Sequence, residues 1–219
     1  MISKMINEGM LAKIDVSAME NYSLIEDRFK NLGYDPNNEY SVPYMWGTLG
    51  ILYNTTLVGG PVESWSVLFD ENYSGRLFMM DSVRDSIGVA LDYLGYSMNS
   101  TNDAELAEAE ALLKEQKPLV LDYTGDEVKD KMIGGEAALA VVYAGDAITC
   151  INENSDLKFA VPVEGSNLFF DAMCVLETSE NKELAEQFID FMCRTDIAEM
   201  NRAYINYSSP QTEVVDALP

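Results

Sequence analysis

The chain contains 219 residues, of which 47% are hydrophobic, so it can bury a sizeable core in one large domain or two small lobes. Its 37 acidic and 14 basic residues give a formal net charge of −23, and this field repels nucleic-acid backbones and acidic lipid surfaces. Histidine is absent, and no CxxC, HExxH or glycine-rich phosphate loop occurs, so metal-centred and triad chemistry lack their usual residues. We therefore expect no nucleic-acid partner, no metal and no cofactor.

Hydrophobic spacing, turn residues and capping patterns predict the secondary structure along the chain. In chain order they predict a helix over 2–10, strands from about residue 40 and over 47–53, a short helix over 65–69, a strand over 76–80, helices over 82–94 and 104–113, strands over 138–143 and 168–176, and helices near 182–193 and 196–204. Apolar strands that are followed by helices are typical of α/β units with a largely parallel sheet. There is no internal repeat and no long glycine/serine linker, so a chain with two lobes would cross between them on strands.

Two short segments place an aromatic ring close to a carboxylate, namely Tyr143-Ala144-Gly145-Asp146 and Phe169-Phe170-Asp171. A ring face and a carboxylate together can hold a protonated amine. Period-two spacing puts Phe169 and Asp171 on one face of a strand. An aspartate within the apolar run 168–175 is costly to bury without a partner, so Asp171 is a candidate for binding an organic cation.

The residues by themselves also allow structural interpretations. Ser82 and Asp85 have the spacing of a capping box, and an acid in the first turn complements the helix dipole. Asp146 could cap a helix that begins at Ala147, and Tyr143 could be a core aromatic at the end of a strand. These alternatives remain open at this point.

The segment 40–54, which reads YSVPYMWGTLGILYN, resembles the segment that leads into the hinge of bacterial polyamine-binding proteins. Further segments fall in the family's order, at 64–69, 73–77, 94–97, 135–136, 163–165 and 188–196. The resemblance implies a two-lobe α/β fold of the periplasmic-binding-protein type (type II), with strand crossovers at a hinge. It also implies a solute-binding subunit of an ATP-driven importer, and not an enzyme.

The resemblance divides the chain into two lobes. It assigns residues 1–53 and 173–206 to an amino-terminal lobe, and residues 54–172 and 207–219 to a second lobe. Because members of this family are longer, we expect both lobes to be incomplete. The first strand–helix units of the amino-terminal lobe and the final helices of the protein would be missing.

The resemblance assigns roles to acidic and polar residues. Asp85 matches the carboxylate that takes one ammonium end of the ligand. Arg84 could orient it through a forked ion pair, although an exposed arginine is the ordinary case. Asp171 matches an aspartate that takes an amine. Asp146 stands where putrescine-binding members carry a second carboxylate, and Ser82 stands where spermidine-binding members often have an aspartate. This set favours putrescine over spermidine.

Three aromatic residues complete the ligand-binding set that the resemblance implies. Tyr143 and Phe169 occupy positions where the family has aromatic platforms, usually tryptophan, and Tyr207 matches a late aromatic that packs on the ligand. Rings along a methylene chain, with carboxylates for its ammonium groups, would hold a polyamine.

The predicted function is therefore that of a monomeric, extracytoplasmic solute-binding component of an ABC transporter, which captures a polyamine and delivers it to the permease. It would act in the periplasm or at the cell surface, with a lipid anchor or fusion to the permease left open. Three alternatives remain. The chain could bind another solute, such as a sugar or a metal chelate, or could only dock on a permease. It could also be a hydrolase that pairs Asp85 with Asp146 or Asp171.

Overall fold

The computed structural model describes residues 1–216 and divides them into two compact units. Unit 1 contains Met1–Trp46 and the described residues from Phe169 onward, and unit 2 contains Gly47–Leu168. The chain passes between the units twice, within strand β1 (Ser41–Asn54) and within strand β6 (Leu168–Cys174). The predicted crossing on strands therefore matches the structure.

The predicted lobe boundaries fall within the same two strands, but residues 207–216 lie in unit 1 and not in the second unit. Backbone hydrogen bonds explain the difference, because Trp46 and Ser208 exchange two of them, with N–O distances of 2.9 and 3.1 Å. The Nε2 of Gln211 also donates to the carbonyl of Cys193 at 2.7 Å. The predicted end of the second lobe, residues 217–219, lies outside the described residues.

Unit 2 is a mixed sheet with helices packed around it. Its elements after β1 are 3-10 helices at Trp65–Phe69, Glu71–Tyr73 and Lys117–Leu119, strands β2 (Leu77–Met80), β3 (Val120–Thr124), β4 (Leu139–Tyr143) and β5 (Leu157–Ala160), and helices α2 (Val83–Tyr93), α3 (Asp103–Gln116), α4 (Val128–Ile133) and α5 (Ala144–Glu153). The strand order is β3-β2-β4-β1-β5, and β6 also pairs with β1.

The predicted largely parallel sheet needs a correction at β1. Strand β2 is parallel to both β3 and β4, whereas β1 is antiparallel to β4 and to β5. Strands β2 to β5 thus share one direction, as strands joined by helical connections do, and β1 enters from unit 1 in the opposite direction. Gly50 allows the close approach of β5, because a Cβ there would lie 2.5 Å from the carbonyl oxygen of Ala160.

The apolar sequence of β4 follows from burial on both faces. Leu139 and Val141 belong to a core that contains Trp65, whereas Ala140 and Val142 belong to a second core that contains Cys150. Since successive side chains of a strand point to opposite faces, a strand between two cores has no polar alternation.

Besides two short 3-10 helices, the predicted set for unit 2 lacks two strands and one α-helix, namely β3, β5 and α4. Strand β3 lies at the edge of the sheet, and three of its five residues are exposed, so it has no apolar run. Helix α4 has six residues and β5 has four, which is too short for a periodic pattern.

Unit 1 is built mainly from helices. It contains α1 (Ile2–Asn7), α6 (Lys182–Met192), α7 (Thr195–Ile205), α8 (Thr212–Asp216), and 3-10 helices at Val16–Ala18, Asn21–Leu24 and Asp27–Phe29. The ring of Phe29 packs in its core, 5.7 Å from Trp46 and 6.0 Å from Phe170 between centroids. In residues 1–216 no helix combines the length and apolarity needed to cross a bilayer.

Candidate ligand-binding site

The carboxylate of Asp85 lies at the start of helix α2 in unit 2. The Oγ of Ser82 accepts a hydrogen bond from the backbone N–H of Asp85 at 3.4 Å and donates one to Asp85 Oδ2 at 2.7 Å. Ser82 is therefore the N-cap of α2, as the capping interpretation predicted. Capping does not exclude a binding role, because it holds the carboxylate at a fixed position.

Two further neutral groups donate to the same carboxylate. The hydroxyl of Tyr143, at the end of β4, donates to Oδ2 at 2.8 Å, and the side-chain amide of Asn167 donates to Oδ1 at 3.0 Å. Asp85 is buried, and within residues 1–216 no lysine or arginine forms an ion pair with it. Its hydrogen bonds therefore orient the carboxylate without supplying a cation.

The predicted ion pair between Arg84 and Asp85 is wrong. Arg84 is exposed, and its Nη2 donates to Asn99 Oδ1 at 2.7 Å. Consecutive residues of an α-helix project about 100° apart, so Arg84 points away when Asp85 points inward.

Asp146 lies in the first turn of α5, where Lys129 of α4 binds it. The Nζ of Lys129 is 3.1 Å from Asp146 Oδ1. Because α5 begins at Ala144, Asp146 is inside the helix, and the predicted capping role at Ala147 is wrong. An acid in this turn still complements the helix dipole.

In unit 1, two rings and a carboxylate come from β6 and the segment after α7. Helix α7 ends at Asn206, whose φ of 61° is left-handed, and Tyr207 follows it. The rings of Tyr207 and Phe169 pack edge to face, with centroids 5.9 Å apart and an interplanar angle of 67°. Asp171 is exposed on β6, two residues beyond Phe169.

Asp171 differs from its neighbours in lacking partners. In the part of the chain that the structure describes, its carboxylate makes no hydrogen bond and no ion pair, and desolvation by the surrounding residues raises its pKa. The pKa of Tyr34 is raised to about 12, first by burial, then by the charge of Asp35 and more weakly by that of Asp171. Burial followed by Asp171 also raises the pKa of Tyr44. The negative charge of Asp171 thus contributes to the raised pKa of two tyrosines of unit 1.

Four residues around these carboxylates were not predicted as site residues, namely Asn167, Lys129, Tyr34 and Tyr44. Tyr44 lies inside the segment that carries the family resemblance, and Asn167 lies directly before β6, so position in the sequence could have indicated both. The sequence gives no such indication for Lys129.

Comparison with known proteins identifies the family. Residues 1–219 match the family described as bacterial extracellular solute-binding proteins. The chain belongs to this family. The predicted fold class, the non-enzymatic nature of the protein and its extracytoplasmic location are thereby confirmed.

Individual relatives of this solute-binding protein carry polyamine names. It is 33% identical over 210 residues to the spermidine/putrescine-binding periplasmic protein of Escherichia coli (strain K12), covering 95% of this chain and 60% of the relative. It is 31% identical over 215 residues to the putrescine-binding periplasmic protein SpuD of Pseudomonas aeruginosa (strain UCBPP-PA14), covering 90% of this chain and 59% of that one. The predicted resemblance to polyamine-binding proteins is confirmed.

A solved structure gives the same result for the fold. The crystal structure of the spermidine/putrescine ABC transporter substrate-binding protein PotD from Streptococcus pneumoniae, in complex with calcium and HEPES, superposes with a TM-score of 0.89 and 37% identity. It matches 100% of this chain, which covers 68% of that structure. The solute-binding protein described here therefore spans about three fifths of the length of its curated relatives.

Proposed function

We propose that the chain is the solute-capturing part of an ABC importer and that it binds a polyamine, with putrescine preferred over spermidine. The observation that carries this proposal is Asp171, an exposed carboxylate on an apolar strand that has no hydrogen-bond or ion-pair partner among the described residues. The neighbouring rings of Phe169 and Tyr207 add two aromatic surfaces in the same unit. A protonated amine fits a carboxylate with adjacent rings, whereas a neutral sugar has no use for the charge.

In unit 2, the candidate carboxylate for an ammonium group is Asp85. Ser82, Tyr143 and Asn167 fix its two oxygens through neutral donors, so an ammonium group would find an oriented acceptor whose charge has no cation partner in residues 1–216. A hydrogen bond to a charged group contributes about 1.5–3 kcal/mol. A cation over a ring contributes about 0.5–2 kcal/mol. Within unit 2, Asp85 and the ring of Tyr143 would therefore contribute about 2–5 kcal/mol to the binding of one ammonium group.

The preference for putrescine depends on Asp146 and Ser82. An acid at 146 and a hydroxyl at 82 follow the pattern of putrescine-binding members, and distance between carboxylates discriminates amines of different length. The proposed partners are a small polyamine and the permease of an ABC transporter, and the proposed binding component is monomeric.

Calorimetric titration tests the proposal directly. Putrescine, spermidine and a neutral disaccharide would be titrated at low and moderate salt into the 219-residue chain and into a version extended by flanking residues of its natural protein. We expect saturable amine binding that weakens with salt, with putrescine tighter than spermidine, and no heat from the disaccharide. The proposal would be contradicted if the disaccharide bound, or if neither form of the protein bound putrescine or spermidine.

A further inference from the structure

We infer that Lys129 lowers amine affinity by acting as a tethered ammonium that competes with the ligand for Asp146. The inference rests on the proposed function and deepens it. It changes the role of Asp146, which would reach a ligand only by releasing a cation that the protein itself supplies. Both residues belong to unit 2, Lys129 on α4 and Asp146 on α5.

The geometry favours Asp146 as the partner of Lys129. The Nζ of Lys129 is 3.1 Å from Asp146 but 3.8 Å from Asp126. The side chain of Asp146 is 20% exposed, whereas that of Asp126 is 99% exposed. Since a partly buried pair is screened less than an exposed one, the Lys129–Asp146 pair is the stronger of the two.

Protonation of Lys129 supports the same assignment. Burial lowers its pKa, but the hydrogen bond and the charge of Asp146 outweigh burial, so that its pKa is raised overall. Lys129 is therefore an ammonium group at neutral pH, with the same chemistry as the end of a polyamine.

A tethered cation is a strong competitor. A group on a short flexible linker has an effective concentration on the order of millimolar at its partner. A ligand ammonium that binds Asp146 must exchange with Lys129, and the protein then loses one charge pair as it gains another. Amines that use Asp146 should accordingly bind less tightly than the number of carboxylates suggests.

The chain offers a matched control on the same helix. Lys131 of α4 pairs with Asp122 at 3.0 Å, and the side chains of Lys129 and Lys131 are 30% and 28% exposed. Lys131→Met and Lys129→Met both remove one positive charge from α4, so they have equal effects on the overall field. Only Lys129→Met removes the ion pair with Asp146.

The test is a double-mutant cycle measured by putrescine titration, on whichever form of the protein binds amines. We expect Lys129→Met to raise putrescine affinity about tenfold, or about 1.4 kcal/mol, beyond the effect of Lys131→Met. Lys129→Arg should keep the affinity of the unchanged protein, because it keeps the charge. Asp146→Asn should lower putrescine affinity about tenfold more in the Lys129→Met background than when Lys129 is present.

Each outcome has one meaning. If Lys129→Met behaves like Lys131→Met, or if Asp146→Asn costs the same in both backgrounds, the ion pair only joins α4 to α5 and the inference is overturned. Amine binding by the unchanged protein would, in that case, leave the proposed function intact. Absence of amine binding from every form and variant would overturn both, whereas binding by Lys129→Met alone would support the competition.

Discussion

Asp85 in unit 2 and Asp171 in unit 1 have the same predicted role but opposite environments. Asp85 is buried and accepts hydrogen bonds from Ser82, Tyr143 and Asn167. Asp171 is exposed, and within residues 1–216 it has no hydrogen-bond donor and no cation. The fold therefore holds the Asp85 carboxylate in place, whereas under the proposed function Asp171 would gain a partner only from the ligand.

This difference separates stability from binding. Removing Asp85 leaves three donors without their acceptor, so the fold itself should weaken. Removing Asp171 leaves nothing unsatisfied among the described residues, so binding should weaken alone. The two aspartates therefore provide a test in which the same substitution type has different consequences.

The largest expected effect is on amine binding by Asp171→Asn. The variant keeps the size of the side chain and removes its charge, so we expect about a 100-fold loss of putrescine affinity, close to the upper value for a hydrogen bond to a charged group. The free energy of unfolding should change by less than about 0.5 kcal/mol, as for a surface substitution. Titration and urea unfolding measure the two quantities.

Asp27→Asn is the control for the charge change, because Asp27 also lies in unit 1 and its side chain is fully exposed. It should leave putrescine affinity within about twofold, since the charge that is lost is fully exposed, screened by solvent and already paired with Lys30. Retained affinity in Asp171→Asn would mean that the ligand assignment fails at its central residue.

The next effect is on stability, through Asp85→Ala. We expect a loss of about 1–3 kcal/mol in the free energy of unfolding, because buried donors lose their acceptor. Asp81→Ala is the matched control, as Asp81 is exposed and lies before the same helix. Equal urea midpoints for the two variants would show that Asp85 does not stabilise unit 2.

A third carboxylate, that of Asp92, shows the effect of burial on the pKa of an aspartate. It is half-buried on α2, and burial followed by the charge of Glu164 raises its pKa from 3.8 to about 6. Because its pKa is raised, the folded protein binds the proton on Asp92 more tightly than the unfolded chain does. The stability that this proton contributes is therefore full below pH 3.8 and is lost as pH rises through about 6.

We therefore expect Asp92→Asn to raise the free energy of unfolding at pH 7 by about 1–2 kcal/mol, after allowance for solvent screening, and to have less effect near pH 5. Urea unfolding at both pH values measures this. Asp156→Asn, an exposed change in unit 2, should show no such pH dependence. A gain for Asp92→Asn that is equal at both pH values would argue against a raised pKa.

The sequence could predict much of the fold because its main elements are strongly patterned. Strand β4 is apolar throughout since it lies between two cores, and α2 has a capping serine and a buried apolar stretch, Val89-Ala90-Leu91. Strand β3 was missed because an edge strand needs no apolar run, and the direction of β1 was missed because it depends on how the chain enters unit 2.

The candidate site was predictable to a similar degree. Residue type and family resemblance indicated Asp85 and Asp171 as candidates, but they could not indicate which residues donate hydrogen bonds to Asp85. Arg84 is adjacent to Asp85 in sequence and points elsewhere on the helix, whereas Asn167, which is distant in sequence, donates to it. The Lys129–Asp146 pair joins α4, which precedes β4 in the chain, to α5, which follows it. No helical or strand periodicity in the sequence connects the two residues. Such contacts depend on tertiary packing.

The smallest expected effect distinguishes two roles of Tyr143. Its hydroxyl holds Asp85 at 2.8 Å, whereas its ring is the predicted platform for the ligand. Tyr143→Phe removes only the hydroxyl, so we expect a loss of about 0.5–1.5 kcal/mol in the free energy of unfolding, which is less than for Asp85→Ala. Putrescine affinity should stay within about threefold if the ring supplies the binding energy, and Tyr143→Leu should lower it by a further factor of about 3–10, as expected for a lost cation–ring contact. If both variants bind putrescine equally well, the role of Tyr143 is to hold Asp85, and the aromatic contribution would belong to unit 1 alone.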